Sequence, residues 1–153
     1  MAAKLGHMEL EAFVQATEDE AKVVLALSNL AGHDVKGSLE TVRTEGIHKN
    51  PLVLLKVRFT KEREAREVLS SLLLSDSFRK VLQEGPGQRL DEDNVLHFRF
   101  DKQAAYNGTA VMHVSGEAVK LTIKVLTFPF SREAALECLK GLALTGDSEA
   151  LGP

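Results

Sequence analysis

The run from Glu117 to Phe128 constrains the fold more than any other part of the chain. Val119, Leu121, Ile123 and Val125 fall on one side of it, and Lys120, Thr122 and Lys124 on the other, which is the two-residue period of a strand with one dry and one wet side. A long strand of this kind belongs in an antiparallel sheet whose second face is left to solvent. The same alternation recurs from His7 to Ala16, with Met8, Leu10, Ala12 and Val14 opposed to Glu9, Glu11, Phe13 and Gln15. It appears again from Val95 to Phe100, where Leu96, Phe98 and Phe100 oppose Val95, His97 and Arg99. Leu52 to Phe59 reads as a further strand, and Ser38 to Glu45 as a weaker one. Ala110 to Val114 is expected to form a hairpin with Glu117 to Phe128, reversing at Ser115-Gly116.

Helices are expected between these strands, each with local start and stop signals. Thr17 and Glu20 have capping-box spacing ahead of Val23, Val24, Leu27 and Leu30, and Gly32 is a natural stop because it enters the left-handed region without steric cost. Thr60 is expected to cap the helix carrying Ala65, Val68, Leu69, Leu72 and Leu73. Ser75 starts a shorter helix through Phe78, Val81 and Leu82, which ends at the break Gly85-Pro86-Gly87. Asp101 caps a turn bearing Lys102, Gln103 and Tyr106. Pro129 ends the long strand, and Ser131 caps a last helix with Ala134, Ala135, Cys138, Leu139 and Leu142 on its buried side. The tail after Thr145 is expected to fray. The order predicts an α+β fold: a single, mainly antiparallel sheet with helices packed on one face. One domain over residues 1–153 is expected, with its core over about 8–142, since a chain of 153 residues buries roughly two thirds of the surface it exposes when unfolded.

Composition removes several classes of function. One cysteine cannot form an internal disulfide, and Cys138, set in an apolar stripe, reads as a small buried hydrophobe. No apolar run approaches the length of a membrane helix, and MAAKLGHM lacks the apolar core of a secretory signal, so a cytoplasmic location is expected. No glycine-rich loop has the Lys and Ser or Thr of a phosphate-binding turn. Five scattered histidines and one cysteine offer no zinc spacing, and no cofactor is expected. Asp91, Glu92 and Asp93 read as a solvated turn in preference to a magnesium site.

The formal net charge is −3, yet the cations are expected to segregate onto strands. Arg43, Lys56, Arg58, Arg99, Lys120 and Lys124 stand on the more polar strand sides, and His48, Lys49 and Asn50 share the loop between Gly46 and Pro51. His97 faces the same way as Arg99, while Lys102, Gln103 and Tyr106 follow the strand on its capped turn. If the strands share a sheet, its open face is electropositive and suits phosphate. Phe128 and Phe130 are expected in the core, with stacking on a base as the alternative. A metal-assisted nuclease built on Asp91, Asp93 and His97 is the enzymatic alternative, and a protein-docking module the non-enzymatic one.

Three segments, ATEDEAKVVLALSNL from Ala16, EGIHKNPLVLLKVRFTKEREAREVL from Glu45 and RLDEDNVLHFRFDKQAAYNG from Arg89, carry a resemblance to a family. The chain resembles the archaeal RNA-binding proteins described as predicted exosome subunits, from about Met8 to about Leu142. The resemblance implies a fold like that of the fifth large-subunit ribosomal protein, RNA as ligand, and an exosome or ribosome-associated partner; together with the cationic strands it makes a non-enzymatic RNA-binding protein the leading expectation. It assigns no contact residue.

Overall fold

The computed structural model describes residues 2–46, 50–114 and 116–145. Within them the strands β1 (Ala2–Val14), β2 (Leu39–Glu45), β3 (Pro51–Phe59), β4 (Val95–Asp101) and β5 (Ala118–Phe128) form one antiparallel sheet in the order β2-β3-β1-β5-β4. The described helices are α1 (Glu20–Ala31), α2 (Glu62–Leu72), α3 (Asp76–Glu84), α4 (Lys102–Tyr106) and α5 (Arg132–Thr145). The architecture is the α+β arrangement expected from the alternating strands.

Alternation sets which face is covered. Met8 and Leu10 of β1, Leu55 and Val57 of β3, Leu96, Phe98 and Phe100 of β4, and Val119 to Val125 at every second position of β5 are buried. They meet Val23 and Leu27 of α1, Val68 and Leu69 of α2, Phe78 of α3 and Leu139 of α5 in one core. Phe78 seals the β4 end of that core, with its ring 4.8 Å from Phe98 and 5.8 Å from Phe100. Truncation of such a side chain to Ala costs about 3–5 kcal/mol.

The caps at Ser75, Asp101 and Ser131 form as read: each side chain accepts from a backbone N–H three residues on, at Phe78, Ala104 and Ala134. Gly32 closes α1 at φ 82°. Two starts move. Asp19, not Thr17, caps α1 by accepting from Ala21 N–H, because its carboxylate reaches the second amide of the helix while Glu18 turns back to accept from Gln15 N–H. The second helix opens after Lys61 instead of Thr60, with Glu64 accepting from Lys61 N–H.

The expected hairpin between Ala110–Val114 and β5 does not form. That segment runs instead along the outer edge of β4, through one bridge between Met112 and Phe100, with Asp101 N–H donating to Val111 C=O and His113 N–H to Arg99 C=O. The reason is that β5 already has β1 and β4 on its two edges. Ser115 of the expected reversal lies outside the described residues, as does the tail after Thr145. No helix among the described residues is long and apolar enough to cross a membrane.

Candidate functional site

The sheet's uncovered face is a lattice of side chains whose rows follow from the register. One row runs Glu40, Lys56, Glu11, Lys120 and Arg99 across β2, β3, β1, β5 and β4. The next runs Arg58, Glu9, Thr122 and His97. A third brings together Val42, Leu54 and Phe13 at the β2 end. Directly opposed side chains in such a sheet stand about 5 Å apart at Cβ, so each row behaves as a line of interacting charges.

The charges do not form one uniform positive field. Lys56 Nζ lies 3.7 Å from Glu9 and 3.6 Å from Glu11, and Arg58 Nε donates to Glu9 Oε2 at 2.9 Å. These two cations, expected to lead the site, are neutralised by the central strand. Arg43 is on the wrong side altogether: it pairs in register with Val53 on the helix-covered side and reaches Glu20 at 3.7 Å. The expectation failed because β2 is an edge strand, exposed at nearly every position, so its sequence carries no contrast between faces.

The β5 and β4 half is different. Arg99 and Lys120 are directly opposed, and neither has an ion-pair partner among the described residues. Lys124 sits opposite Val95 and donates to the backbone carbonyl of Asp93. Lys4, which sequence reasoning passed over, is exposed and lies opposite Leu126 on this same face. Like charges set opposite one another destabilise a sheet, so the Arg99–Lys120 opposition is held at a cost, with Glu11 on the other side of Lys120 engaged by Lys56.

At the outer margin of the strip lies a hollow of about 490 Å³, lined by Arg89, Asp91, His97, Arg99, His113 and Lys120. The segment around Arg89 pairs with one end of β4, His97 N–H donating to Arg89 C=O and Asp91 N–H to Val95 C=O, each at 2.9 Å. Arg132 clamps that segment by donating to the carbonyls of Gly87, Leu90 and Asp91. His97 Nε2 donates to Asp91 Oδ2 at 2.8 Å. That bond, with further donation from the backbone N–H groups of Val95 and Asp93, holds the Asp91 carboxyl below its ordinary range. Asp91 is thus committed to a turn and an imidazole. Among the described residues no group of three or more His, Cys, Asp and Glu side chains is spaced to hold a metal ion.

The remaining expected residues lie elsewhere. Lys102 is buried at 6% exposure and donates to Phe13 C=O and to both carboxylate oxygens of Glu18, at 2.6 to 3.0 Å. It ties α4 to the end of β1 and is unavailable to a ligand. Gln103 and Tyr106 line a separate hollow with Lys22, whose ammonium stands 5.5 Å from the Tyr106 ring centroid. Asn50 is exposed beside the start of β3, and His48 and Lys49 lie outside the described residues. Phe128 and Phe130, expected in the core, are 61% and 62% exposed. Phe128 shares the open face with Lys120 and Lys124 by strand alternation, and cis-Pro129 separates it from Phe130.

The architecture places the chain in the class of α+β folds with one open sheet face, here carrying cations that have no ion-pair partner among the described residues. Comparison with known proteins narrows that class: the profile of a family described as RNA binding matches residues 7–125. A relative from Pyrococcus abyssi named RNA-binding protein PAB1135 is 33% identical over 147 residues, which cover 92% of this chain and 96% of the relative. Two solved structures agree over nearly their full lengths. Protein AF2318 from Archaeoglobus fulgidus shares 32% identity at a TM-score of 0.75, over 88% of this chain and 96% of that one. Mth689 from Methanothermobacter thermautotrophicus, described as a DUF54 protein, shares 34% at a TM-score of 0.73, over 87% and 93%. The chain belongs to this RNA-binding family.

Proposed function

We propose that the protein holds RNA on the β5 and β4 half of the open sheet face, with Arg99, Lys120 and Lys124 contacting backbone phosphates and no chemistry performed on the chain. The observation that carries the reading is the opposition of Arg99 to Lys120 with no ion-pair partner for either among the described residues, the Glu11 carboxylate on the far side of Lys120 being engaged by Lys56 at 3.6 Å. Two like charges held side by side cost stability, and an anion laid between them returns it. Phosphate contacts of this kind set affinity without reading sequence. The non-catalytic part of the proposal is supported by Asp91 and His97 being bound to each other and to the backbone.

The test is binding of single-stranded RNA across a salt series. Each phosphate neutralised on a single strand contributes about 0.7 to the slope of log affinity against log salt. Replacing Arg99, Lys120 and Lys124 by Gln should therefore flatten the slope by about 2. A folded triple variant with unchanged affinity and slope would move the site to another surface.

Association with an exosome or another RNA-processing assembly rests on the resemblance of the three segments quoted above. The row Val42, Leu54 and Phe13, with Phe13 and Val42 exposed at the far end of the open face, is the surface on which a protein partner would sit. A partner retained after nuclease treatment and lost on Val42→Asp would support that reading.

A further inference from the structure

We infer that the hollow at the outer margin of β4 is a pocket for the terminal phosphate of an RNA chain. The inference rests on the RNA-binding reading and adds which part of the ligand this corner receives.

The argument begins with the edge of β4. A residue in a strand presents its N–H and C=O to the same edge. His97 N–H and Arg99 C=O are taken by Arg89 and His113 respectively. The His97 C=O and Arg99 N–H therefore face the gap between the two flanking segments, and neither has a backbone partner among the described residues. The hollow occupies this gap. It presents a free backbone donor to whatever enters.

The side chains around that donor are nearly all of one sign. Arg89, Arg99 and Lys120 bring three permanent positive charges, and none has an ion-pair partner among the described residues. The Arg89 guanidinium is held in place over the Phe98 ring, 5.2 Å from its centroid. The one carboxylate lining the hollow, Asp91, already receives His97 and two backbone N–H groups. His113 Nε2 donates to Gly116 C=O at 2.7 Å, which fixes its ring at the opposite wall.

Charge decides between an internal and a terminal phosphate. An internal diester carries one negative charge, whereas a phosphomonoester carries about 1.5 to 2 at neutral pH and has three strong acceptor oxygens. Two guanidiniums and one ammonium, less the one carboxylate of Asp91, leave a net charge of about +2, which together with the backbone N–H matches the second and exceeds what the first can neutralise. The shape agrees. The hollow lies at the outer limit of the sheet, between the segments at Arg89–Asp91 and Val111–His113, so a chain crossing the strip from β5 ends there.

The experiment compares three single-stranded RNAs of identical sequence, carrying a 5′ phosphate, a 3′ phosphate or hydroxyls at both ends, by fluorescence anisotropy at one fixed salt concentration. The expected result is binding of one phosphorylated form about tenfold tighter than the hydroxyl form, and the arm that gains identifies the end recognised. Arg89→Gln with His113→Gln should remove that gain, so that all three forms bind the folded variant with equal affinity. Equal affinity of all three wild-type complexes would overturn the inference while leaving RNA binding intact. A preference that survives in the folded double variant would also overturn it. Absence of binding by every form, at this salt concentration and at a lower one, would instead refute the RNA-binding reading itself.

Discussion

Arg99 offers a substitution whose effects on stability and on binding have opposite signs. In the free protein Arg99 faces Lys120 directly across the β4–β5 pair, and His113 flanks it on the other side. A directly opposed cross-strand pair contributes roughly 0.2–1 kcal/mol, with like charges unfavourable. Arg99→Gln removes the repulsion, and Arg99→Glu replaces it with an attraction, so the second change should stabilise the protein by about 1 kcal/mol. Glu11, two strands away, is the nearest carboxylate in the row, about 10 Å off at sheet spacing and so twice as far from Arg99 as Lys120 is, which makes its effect the smaller one. For a domain of this size, 1 kcal/mol raises the midpoint of thermal unfolding by about 2–4 °C. Calorimetry at low salt should thus find the Arg99→Glu variant the most stable, the Arg99→Gln variant next and the wild type last. The gaps should close in high salt, while RNA affinity runs in the reverse order. A variant series in which stability falls with affinity would refute the idea that this strip stores repulsion relieved by a ligand.

Further outcomes follow from single contacts. Lys102→Met should destabilise the fold by about 2 kcal/mol in urea titration, because Phe13 C=O and Glu18 lose their donor, while RNA affinity stays unchanged. Asn94 sits buried at φ 60°, with its side-chain amide donating to Ser131 C=O; Asn94→Ala should cost more than Asn94→Gly, since only Gly adopts that backbone freely. The Asp91 carboxyl has a lowered folded-state pKa. Its contribution to stability is present above the unfolded value, about 3.9, and is lost as pH falls through the folded one. The stability difference between wild type and Asp91→Asn should therefore shrink as the solution is acidified below about pH 4. Burial pushes the Cys138 thiol up to about 11, so its reaction with a thiol reagent at neutral pH should be far slower than that of free cysteine.

The fold was legible wherever a side chain's fate depends on its near neighbours. The alternation of β5, the caps at Ser75, Asp101 and Ser131, and the stop at Gly32 are local physics, and all appear as read. Pairing is not local. Ala110–Val114 looked like a hairpin partner of β5, but whether a strand edge is free depends on β1 and β4, which come from distant parts of the chain. The candidate site was half legible for the same reason. Alternation correctly put Lys56, Arg58, Lys120 and Lys124 on polar strand sides, yet only the order β3-β1-β5 reveals that Glu9 and Glu11 stand between the two pairs. Arg43 could not be assigned a side because its strand is exposed on both. Lys102 looked available because a lone lysine after a cap gives no sign that Glu18 and Phe13 C=O, more than eighty residues earlier, will enclose it. Phe128 and Phe130 were placed inside by hydrophobicity alone, though Phe128 falls on the Lys120 side of the β5 alternation, a signal that was there to be read.

The account's central claim is that RNA lies on the uncovered face, over β5 and β4. Titrating isotopically labelled protein with single-stranded RNA and following backbone amide signals tests it directly. The largest shifts should fall at His97 to Arg99 and Lys120 to Lys124, with the helices silent. Shifts concentrated instead on α1 and α2, or around Gln103 and Tyr106, would contradict it.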